Sequence, residues 1–286
     1  MAKQLLAEGL VPRLVHKSTV IRAARKAAES EGCKMVVSKR RPPKELTKDT
    51  KKKRLQFAKE NSKTTWGHVL LTDRKRFYFR YPGSSVQPCR WQKVGPNRPK
   101  KHGAYQPNKP QCLNVYGGIT KHGVTPLHQV AGSSKSKPSF KNKKGEVARN
   151  ICAAQYNSVL RETLLPGGQR LFSGQGISCW TLQQDNDPAH VDAPGVVEEW
   201  SKKNKSNARL LPNWPPNSPD LNLIENVWGY VQARVDALGC QSFEEFKEAV
   251  HKQFQAVPSS MLTHLFNSMK GRIACVVKKQ GDKTGY

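Results

Sequence analysis

The spacing of apolar residues in the last third of the chain predicts a long helix. Six apolar positions there recur with the period of a single buried helix face: Ile224, Val227, Trp228, Val231, Val235 and Leu238. The prolines of the preceding segment, residues 215–219, forbid regular structure, and Asp220 is placed to cap the helix N-terminus. A further helix is predicted to follow, because Ser242 and Glu245 have the spacing of a capping box.

Two apolar runs farther upstream predict β-strands that end at acids. Residues 177–184 pass from apolar to polar, which is typical of a buried strand that stops at Asp185. Residues 66–83 predict a strand, a turn and a second strand, and the first of these strands ends at Asp73. Since Glu225 falls in the first turns of the predicted long helix, strands and helices are both expected to contribute an acid.

Acids at strand ends and helix starts point to metal-dependent phosphodiester chemistry. A site that holds two divalent cations about 3.5–4 Å apart needs several converging acidic oxygens, and hard cations such as Mg²⁺ prefer oxygen ligands. Asp187 is predicted to have a structural role, because it precedes Pro188 and is suited to cap a helix. His190 could be a ligand or a proton shuttle, but a lone histidine more often makes a local hydrogen bond. Asp185 is therefore assigned the chemical role.

The charge of the chain favours a polyanionic partner. Lys and Arg number 49 against 21 Asp and Glu, a formal net charge of +28. Binding of this kind to nucleic acid weakens steeply with salt, because counterions are released. No stretch approaches the roughly 18 apolar residues of a membrane span, and residues 1–10 lack a signal-peptide core. We therefore expect a soluble, non-secreted protein that contacts no membrane.

The cysteines indicate neither a disulfide framework nor a zinc site. Their number, seven, is odd, and the sequence has no Cys-x-x-Cys pair. Both disulfide-rich domains and zinc sites need paired cysteines. A reducing compartment is the natural expectation.

Basic charge is concentrated in residues 34–62, which we interpret as a linker. Lys39-Arg40 and Lys51–Arg54 have the layout of a two-part nuclear import signal, and nuclear localisation is expected on that interpretation. Basic linkers also contact DNA phosphates, so both interpretations stand. The residues predicted to contact DNA in this segment are Lys39, Arg40, Arg41, Lys51, Lys52, Lys53 and Arg54.

Residues 1–33 predict two short helices, 2–8 and 18–31, with Pro12 between them. Such a pair is consistent with a helix-turn-helix whose second helix enters the major groove, although amphipathic helix pairs also occur in many other proteins. The second helix carries three basic side chains at i, i+3 and i+4 spacing, and these are the DNA contacts predicted for it: Arg22, Arg25 and Lys26.

Two sequence signatures resemble those of Tc/mariner-type transposases, which are DDE/D enzymes. Residues 183–190 read QQDNDPAH, and residues 214–228 read WPPNSPDLNLIENVW. The resemblance implies that Asp185 is the second catalytic acid, that Glu225 is the third, and that the first is Asp73.

The resemblance also implies the fold, which is α/β: a ribonuclease-H-like mixed sheet flanked by helices, preceded by a small all-α helix-turn-helix segment. On this basis residues 1–33 are expected to form a partial helix-turn-helix, residues 34–62 a basic linker and residues 63–286 the catalytic domain. Residues 113–130 resemble the central hairpin of the family, and Gly117-Gly118 is assigned to its turn chemistry.

By the same resemblance, the chain is a transposase that cuts DNA and joins the freed 3′-hydroxyl to target DNA. This is cut-and-paste transposition, usually at TA dinucleotides. Asp73, Asp185 and Glu225 are expected to hold two Mg²⁺ or Mn²⁺ ions, which activate water and stabilise the leaving oxygen. The expected partner is double-stranded DNA, both transposon ends and target, and the family often works as a homodimer.

The sequence departs from the family pattern at three places. Arg74 stands where members often carry Glu, and the 39 residues between Asp185 and Glu225 exceed the commonest spacing. Only one of the two helix-turn-helix units of the family fits before the linker, so the chain is expected to be N-terminally shortened. Two other functions therefore stay open: a decayed or host-adopted copy that only binds DNA, and a general metal-dependent nuclease. Asp220 is an alternative third ligand, but its sequence context favours the helix cap.

Overall fold

The computed structural model describes residues 33–37, 45–79, 89–93, 111–130 and 151–286. The helices predicted over residues 2–31 lie outside the described residues, as do six of the predicted DNA contacts: Arg22, Arg25, Lys26, Lys39, Arg40 and Arg41. The chain divides into two compact units, residues 1–44 with 83–109, and residues 45–82 with 110–286. In the first unit, strands β1 (Cys33–Val37) and β3 (Cys89–Lys93) pair in antiparallel register.

The second unit is built on a six-stranded mixed sheet. Its strands are β2 (Val69–Tyr78), β4 (Cys112–Thr120), β5 (Gly123–Val124), β6 (His128–Gln129), β7 (Cys179–Gln183) and β8 (Asn207–Leu210). The strand order is β5-β4-β2-β7-β8, and β6 also pairs with β4. The β2–β4 pair is antiparallel, whereas β2–β7 and β7–β8 are parallel.

Helices cover both faces of this sheet. They are α1 (Lys48–Glu60), α2 (Ala153–Val159), α3 (Leu165–Ser173), α4 (Ala193–Lys203), α5 (Ile224–Leu238), α6 (Phe243–Gln255) and α7 (Ser259–Lys278). One apolar core joins the sheet to α1, α5, α6 and α7, and a second joins it to α2, α3 and α4. The predicted α/β class, a mixed sheet flanked by helices, is confirmed for this unit. None of the helices in the described ranges is long and apolar enough to cross a membrane.

Strand β2 runs unbroken where we predicted a strand, a turn and a second strand. Residues 71–78 pair one by one with residues 119–112 of β4, and this ladder holds the backbone extended. The polar triplet 72–74 suggested a turn, but it lies within the strand. The turn prediction was therefore wrong, because these polar side chains serve contacts on the two faces of the sheet.

The predicted apolar face of α5 is buried along the helix, apart from Leu238 at its end, which is 55% exposed. The helix begins at Ile224, and its N-cap position is Leu223, which makes no side-chain cap. The prediction that Asp220 caps this helix was therefore wrong. The prediction for α6 is confirmed, since the Ser242 hydroxyl accepts a hydrogen bond from the Glu245 backbone N–H at 3.1 Å.

Helix α1 occupies the second half of the predicted linker. Thr47 caps it by accepting a hydrogen bond from the Thr50 backbone N–H at 3.2 Å, and Phe57 and Ala58 are buried in the first core. The compact unit that contains the sheet starts at Glu45. Half of the predicted linker is therefore a helix with one buried face, which its many lysines did not indicate. The domain boundary at residue 62 stays a prediction.

The predicted hairpin at 113–130 is present, but its two adjacent glycines are not in the turn. They lie inside β4, and the turn falls at residues 121–122. A Cβ atom on Gly117 would lie 2.8 Å from side-chain atoms of Leu127 and Trp228. A Cβ atom on Gly118 would lie 2.9 Å from Leu70. The glycines therefore permit close packing on both faces of β4.

Candidate active site

The sheet and α5 bring the three predicted acids together. Asp73 lies on β2, and Asp185 follows the end of β7 by two residues. Because β2 and β7 are parallel, with Leu71 opposite Gln183, both acids lie two residues beyond the last registered pair. Glu225 is the second residue of α5.

Asp73 is the most buried of the three acids, and its protonation reflects the other two. Burial first, and then the negative charges of Glu225 and, more weakly, Asp185, raise the pKa of Asp73 to about 7. The Trp228 indole N–H donates to its Oδ2 at 3.1 Å and partly offsets these effects. The three acids thus share one electrostatic site, in which a full set of negative charges is unfavourable.

Asp185 is held by local hydrogen bonds. The Asp187 backbone N–H donates to its Oδ1 at 3.1 Å, and His190 Nδ1 lies 3.0 Å from both Oδ1 and the backbone oxygen of Asp185. Burial opposes ionisation of Asp185, but these bonds, the charge of His190 and the charge of Arg74 outweigh it, so its pKa is lowered. Because both Asp185 oxygens are acceptors, Nδ1 of His190 carries the proton.

These contacts confirm two local predictions. His190 makes the local hydrogen bond that we expected, and its ring packs on Tyr156 with ring centroids 3.8 Å apart. Asp187 caps the short helix Pro188–His190, accepting a hydrogen bond from the Ala189 backbone N–H at 2.9 Å. The structure is therefore consistent with a capping role for Asp187, while the chemical role of Asp185 stays a prediction.

Thr72 connects the elements that carry the acids. Its hydroxyl donates to the Gln183 carbonyl at 2.6 Å, and its backbone N–H donates to the Gln183 side chain at 3.2 Å. Its own carbonyl accepts a hydrogen bond from the Asn222 side chain at 3.1 Å. One uncharged residue thus fixes β2 to β7 and to the segment before α5.

Glu225 is the most weakly held of the acids. Its carboxylate is 42% exposed and lies 4.0 Å from the ammonium group of Lys75. The next residue, Asn226, is anchored through its side-chain oxygen, which accepts a hydrogen bond from Arg272 at 3.1 Å. The backbone at Glu225 is therefore fixed while its carboxylate stays accessible.

Asp220 has a structural role that excludes it as the third ligand. Its two carboxylate oxygens accept hydrogen bonds from the Arg54 guanidinium at 2.9 and 2.8 Å. Its Oδ2 also accepts from the Thr284 backbone and hydroxyl, and its carbonyl accepts from Arg272 at 2.7 Å. Burial opposes ionisation, but the Arg54 and Thr284 bonds outweigh it and lower the pKa of Asp220. With both oxygens engaged, it cannot replace Glu225.

The predicted DNA contacts on α1 are not equivalent. Arg54 has no exposed surface, because its side chain lies in the ion pair with Asp220, so its assignment as a DNA contact was wrong. Lys51 pairs with Asp282, and Lys53 pairs with Asp49 at 2.8 Å on an exposed surface. The exposed lysines of α1 remain predicted DNA contacts.

A pocket of about 220 Å³ opens beside the acids. Its walls combine two of the predicted acids with the side chains that surround them: Thr72, Asp73, Arg74, Tyr116, Asp185, Asp187 and His190. Sequence reasoning missed Thr72, Trp228 and Tyr116 as parts of the site. The first two adjoin or fall within the segments that supplied the acids, whereas Tyr116 is reached only through strand pairing.

The donor chemistry of the three acids fits a divalent cation. They offer carboxylate oxygens, which hard cations prefer, and a cation would offset the repulsion that raises the pKa of Asp73. Among the described residues, no three His, Cys, Asp or Glu side chains are grouped closely enough to hold one metal ion. Each acid instead contacts a protein group, namely Trp228, His190 and Lys75.

Comparison with known proteins identifies relatives along most of the chain. No protein-family model matches it. The Tc3 transposase of Caenorhabditis elegans is 28% identical over 254 residues, which are 88% of this chain and 68% of that protein. The Tcb1 transposase of Caenorhabditis briggsae is 30% identical over 131 residues, which are 46% of this chain and 45% of that protein. The chain is therefore similar in sequence to the Tc3 and Tcb1 transposases.

Solved transposase structures share the fold of this chain. The catalytic domain of Mos1 mariner transposase matches with a TM-score of 0.57 at 16% identity, over 85% of this chain and 98% of that one. The Mos1 mariner paired end complex with Mn matches with a TM-score of 0.58 at 18% identity, over 98% of this chain and 75% of that one. The chain therefore has the fold of the Mos1 catalytic domain, and the predicted ribonuclease-H-like fold class is confirmed.

Proposed function

We propose that this protein is a DNA transposase that cleaves a DNA strand and transfers the freed 3′-hydroxyl to target DNA. The observation that carries this proposal is the meeting of Asp73, Asp185 and Glu225 at one electrostatic site, supplied by β2, the end of β7 and the start of α5. The similarity to Tc3 transposase along 88% of the chain supports the same reaction.

The cofactor we propose is Mg²⁺ or Mn²⁺, two ions held by Asp73, Asp185 and Glu225. The oxygen donors of the site and the Mn in one of the related Mos1 complexes support this choice. When bound, such ions neutralise charge on the phosphate and make a water or hydroxyl more acidic.

The protein's own contribution is to fix and protect the acids. Thr72 sets the spacing between β2 and β7, and His190 holds the Asp185 carboxylate by its Nδ1 proton. The indole N–H of Trp228, a core residue, donates a hydrogen bond to the Asp73 carboxylate. Lys75 lies 4.0 Å from the Glu225 carboxylate, which stays accessible for a ligand role.

The proposed partner is double-stranded DNA, as transposon ends and as target, with insertion at TA dinucleotides. The net charge of +28 supports a polyanionic partner. A homodimer is part of the proposal, because two transposon ends must be processed together. Light scattering of the protein on end DNA would measure the number of subunits.

Nuclear localisation is also proposed, since chromosomal DNA is the target. Support from sequence is limited to the basic cluster 39–41, because Arg54 of the second cluster is buried. Replacement of Lys39, Arg40 and Arg41 by Ala in a fluorescent fusion should shift the protein to the cytoplasm.

The test of the reaction is cleavage of supercoiled plasmid DNA in Mn²⁺. We expect the parent protein to nick and linearise the plasmid and the Asp185→Ala variant to lose cleavage by several orders of magnitude. Asp192→Ala is the matched control, because Asp192 is exposed, seven residues further on, and makes no capping hydrogen bond. Cleavage by Asp185→Ala equal to that of the parent would refute the assignment.

Two alternative functions correspond to other outcomes of this experiment. If the parent and Asp185→Ala are both folded and bind DNA, but neither cleaves the plasmid, a host-adopted copy that only binds DNA is favoured. Cleavage that ignores the presence of transposon ends would favour a general nuclease.

A further inference from the structure

Arg74 places a cation inside the acid pocket. It pairs directly with Tyr116 across the β2–β4 ladder, so the two side chains lie on the same face of the sheet. This face is opposite to the one from which Asp73 meets Trp228, because successive strand residues alternate. Arg74, Tyr116 and Asp185 all line the 220 Å³ pocket.

The guanidinium of Arg74 has no direct partner in the part of the chain that the structure describes. No hydrogen bond or ion pair within 4.0 Å joins it to the pocket acids there, whereas Asp73, Asp185 and Asp187 all accept hydrogen bonds from other groups. Its charge nevertheless reaches the pocket, since it contributes to the lowered pKa of Asp185 and partly offsets the burial that raises the pKa of Tyr116. The cation is therefore near the reacting region and available to an incoming anion.

A partly buried guanidinium with free N–H groups is suited to bind an oxyanion. Its planar fork matches two oxygens of a phosphate, and such charge-assisted pairs are stronger than neutral hydrogen bonds. The carboxylates of the pocket cannot attract a DNA phosphate by themselves, because they carry the same charge. A cation at this place reduces that repulsion.

We infer that Arg74 binds a non-bridging phosphate oxygen of the DNA strand that enters the acid pocket. This inference rests on the proposed function, because DNA cleavage brings a phosphodiester to Asp73 and Asp185. Arg74 is then a substrate-binding residue of the reaction. The competing explanation is that Arg74 only balances the charge of Asp185 in the free protein.

Three variants separate these explanations. Arg74→Ala removes the fork and the charge, and Arg74→Lys keeps the charge but loses the fork. Arg76→Ala is the matched control, because Arg76 lies two residues further along β2, on the same face, is exposed and does not line the pocket. Thermal melting of each variant establishes that it is folded.

The first measurement is cleavage of supercoiled plasmid at saturating DNA in Mn²⁺. We expect kcat to fall about 100-fold in Arg74→Ala, the loss typical of one oxyanion-binding group, and less in Arg74→Lys. Arg76→Ala should stay within about threefold of the parent. A parent-like kcat in folded Arg74→Ala overturns the inference and leaves the proposed function intact.

The second measurement needs neither metal nor cleavage. Binding of a fluorescent 30-base-pair duplex is followed by anisotropy in EDTA at increasing salt, and the slope of log Kd against log salt should fall by about one in Arg74→Ala. An unchanged slope also overturns the inference. If the slope falls by about one in Arg74→Ala but the parent protein cleaves no plasmid, the proposed reaction is contradicted. Arg74 would then still be a phosphate-binding residue.

Discussion

Single residues decide how much charge the acid pocket tolerates. Asp73 has a pKa of about 7, against 3.8 for an unperturbed aspartate, because it is buried beside two other acids. Ionising it in the folded protein is therefore unfavourable. This residue links the site to the stability of the whole unit.

The stability of the metal-free protein should fall as the pH rises. Between about pH 4 and pH 7 the folded state keeps the Asp73 proton while the unfolded state loses it, so deprotonation favours unfolding across this window. Below and above this window the contribution of Asp73 to the free energy of unfolding does not change with pH. Asp73→Asn removes it, so we expect the melting temperature of the variant to exceed that of the parent more at pH 8 than at pH 5.

Thermal melts in EDTA at both pH values give this comparison. Asp236→Asn on the exposed face of α5 is a suitable control, because Asp236 is exposed and its side chain accepts a hydrogen bond from Gln232 one turn earlier. Parallel pH profiles for the parent and Asp73→Asn would contradict the pKa assigned to Asp73.

At the residue scale the sequence predicted the acids but not what holds them. Asp185 and Glu225 were recognisable from their signatures, whereas the cap assigned to Asp220 was wrong. Its partner Arg54 lies 166 residues away, and no local pattern reveals such a contact. Thr72 was passed over for a similar reason, since its partners Gln183 and Asn222 are 111 and 150 residues distant.

At the scale of elements, β4 and α5 pack closely because β4 has a glycine where α5 has a tryptophan. Gly117 stands opposite Asp73 in the β2–β4 ladder, and Trp228 of α5 packs over it. The same tryptophan donates its indole N–H to Asp73. These contacts of Trp228 fix the position of α5, which carries Glu225, relative to Asp73.

Gly117→Ala should destabilise the protein. A Cβ atom would lie 2.8 Å from Leu127 and Trp228 and 3.1 Å from Phe254, so neighbours from α5, α6 and the segment before β6 would have to move. Overpacking of this kind costs about 1–3 kcal/mol. Urea unfolding followed by tryptophan fluorescence measures the change in unfolding free energy.

Gly229→Ala supplies the control within the neighbouring helix. Nothing lies within 4 Å of a Cβ atom there, and Ala is the better helix former by about 0.5–1 kcal/mol. We expect this variant to be as stable as the parent or more stable. Equal stability of both alanine variants would show that Gly117 is not needed for close packing.

Elements were predictable where one periodicity dominates. The buried stripe of α5 and the cap of α6 are local signals, and both elements formed as expected. Strand β2 was misjudged because its polar triplet 72–74 has the composition of a turn. The glycines of β4 were misjudged because sequence alone does not distinguish a turn glycine from one that admits a neighbour.

At the scale of the molecule, one ion pair joins distant parts of the second unit. Asp220 connects Arg54 of α1, Arg272 of α7 and Thr284 beyond α7. Both partners of the central pair are nearly inaccessible, with side chains 0% and 9% exposed. Removing one partner of such a pair lowers the free energy of unfolding, because the remaining charge would stay buried.

Asp220→Ala should therefore lower the unfolding free energy by about 3–5 kcal/mol at pH 7. Asp49→Ala removes an exposed carboxylate from an ion pair on α1 and should change it by less than about 1 kcal/mol. Urea unfolding of both variants provides the measurement. A loss in Asp220→Ala no larger than in Asp49→Ala would show that the buried pair contributes little.

The same pair predicts a pH dependence. The folded-state pKa of Asp220 is lowered below 3.8, so its contribution is present above that value and is lost as the pH falls through the folded-state pKa. The difference between the parent and Asp220→Ala should therefore shrink below about pH 4. A difference that stays constant into strong acid would contradict this.

The separation of 227 positions between Arg54 and Gly281, whose carbonyl it also binds, has a consequence during protein synthesis. At about 5–20 residues per second, a ribosome needs roughly 10–50 s to make the intervening chain. Helix α1 emerges early but gains its anchor only when residues 281–284 have followed it. A nascent chain that already contains Asp73 and Asp185 thus still lacks the hydrogen bonds that Gly281 and Thr284 make to Arg54 and Asp220.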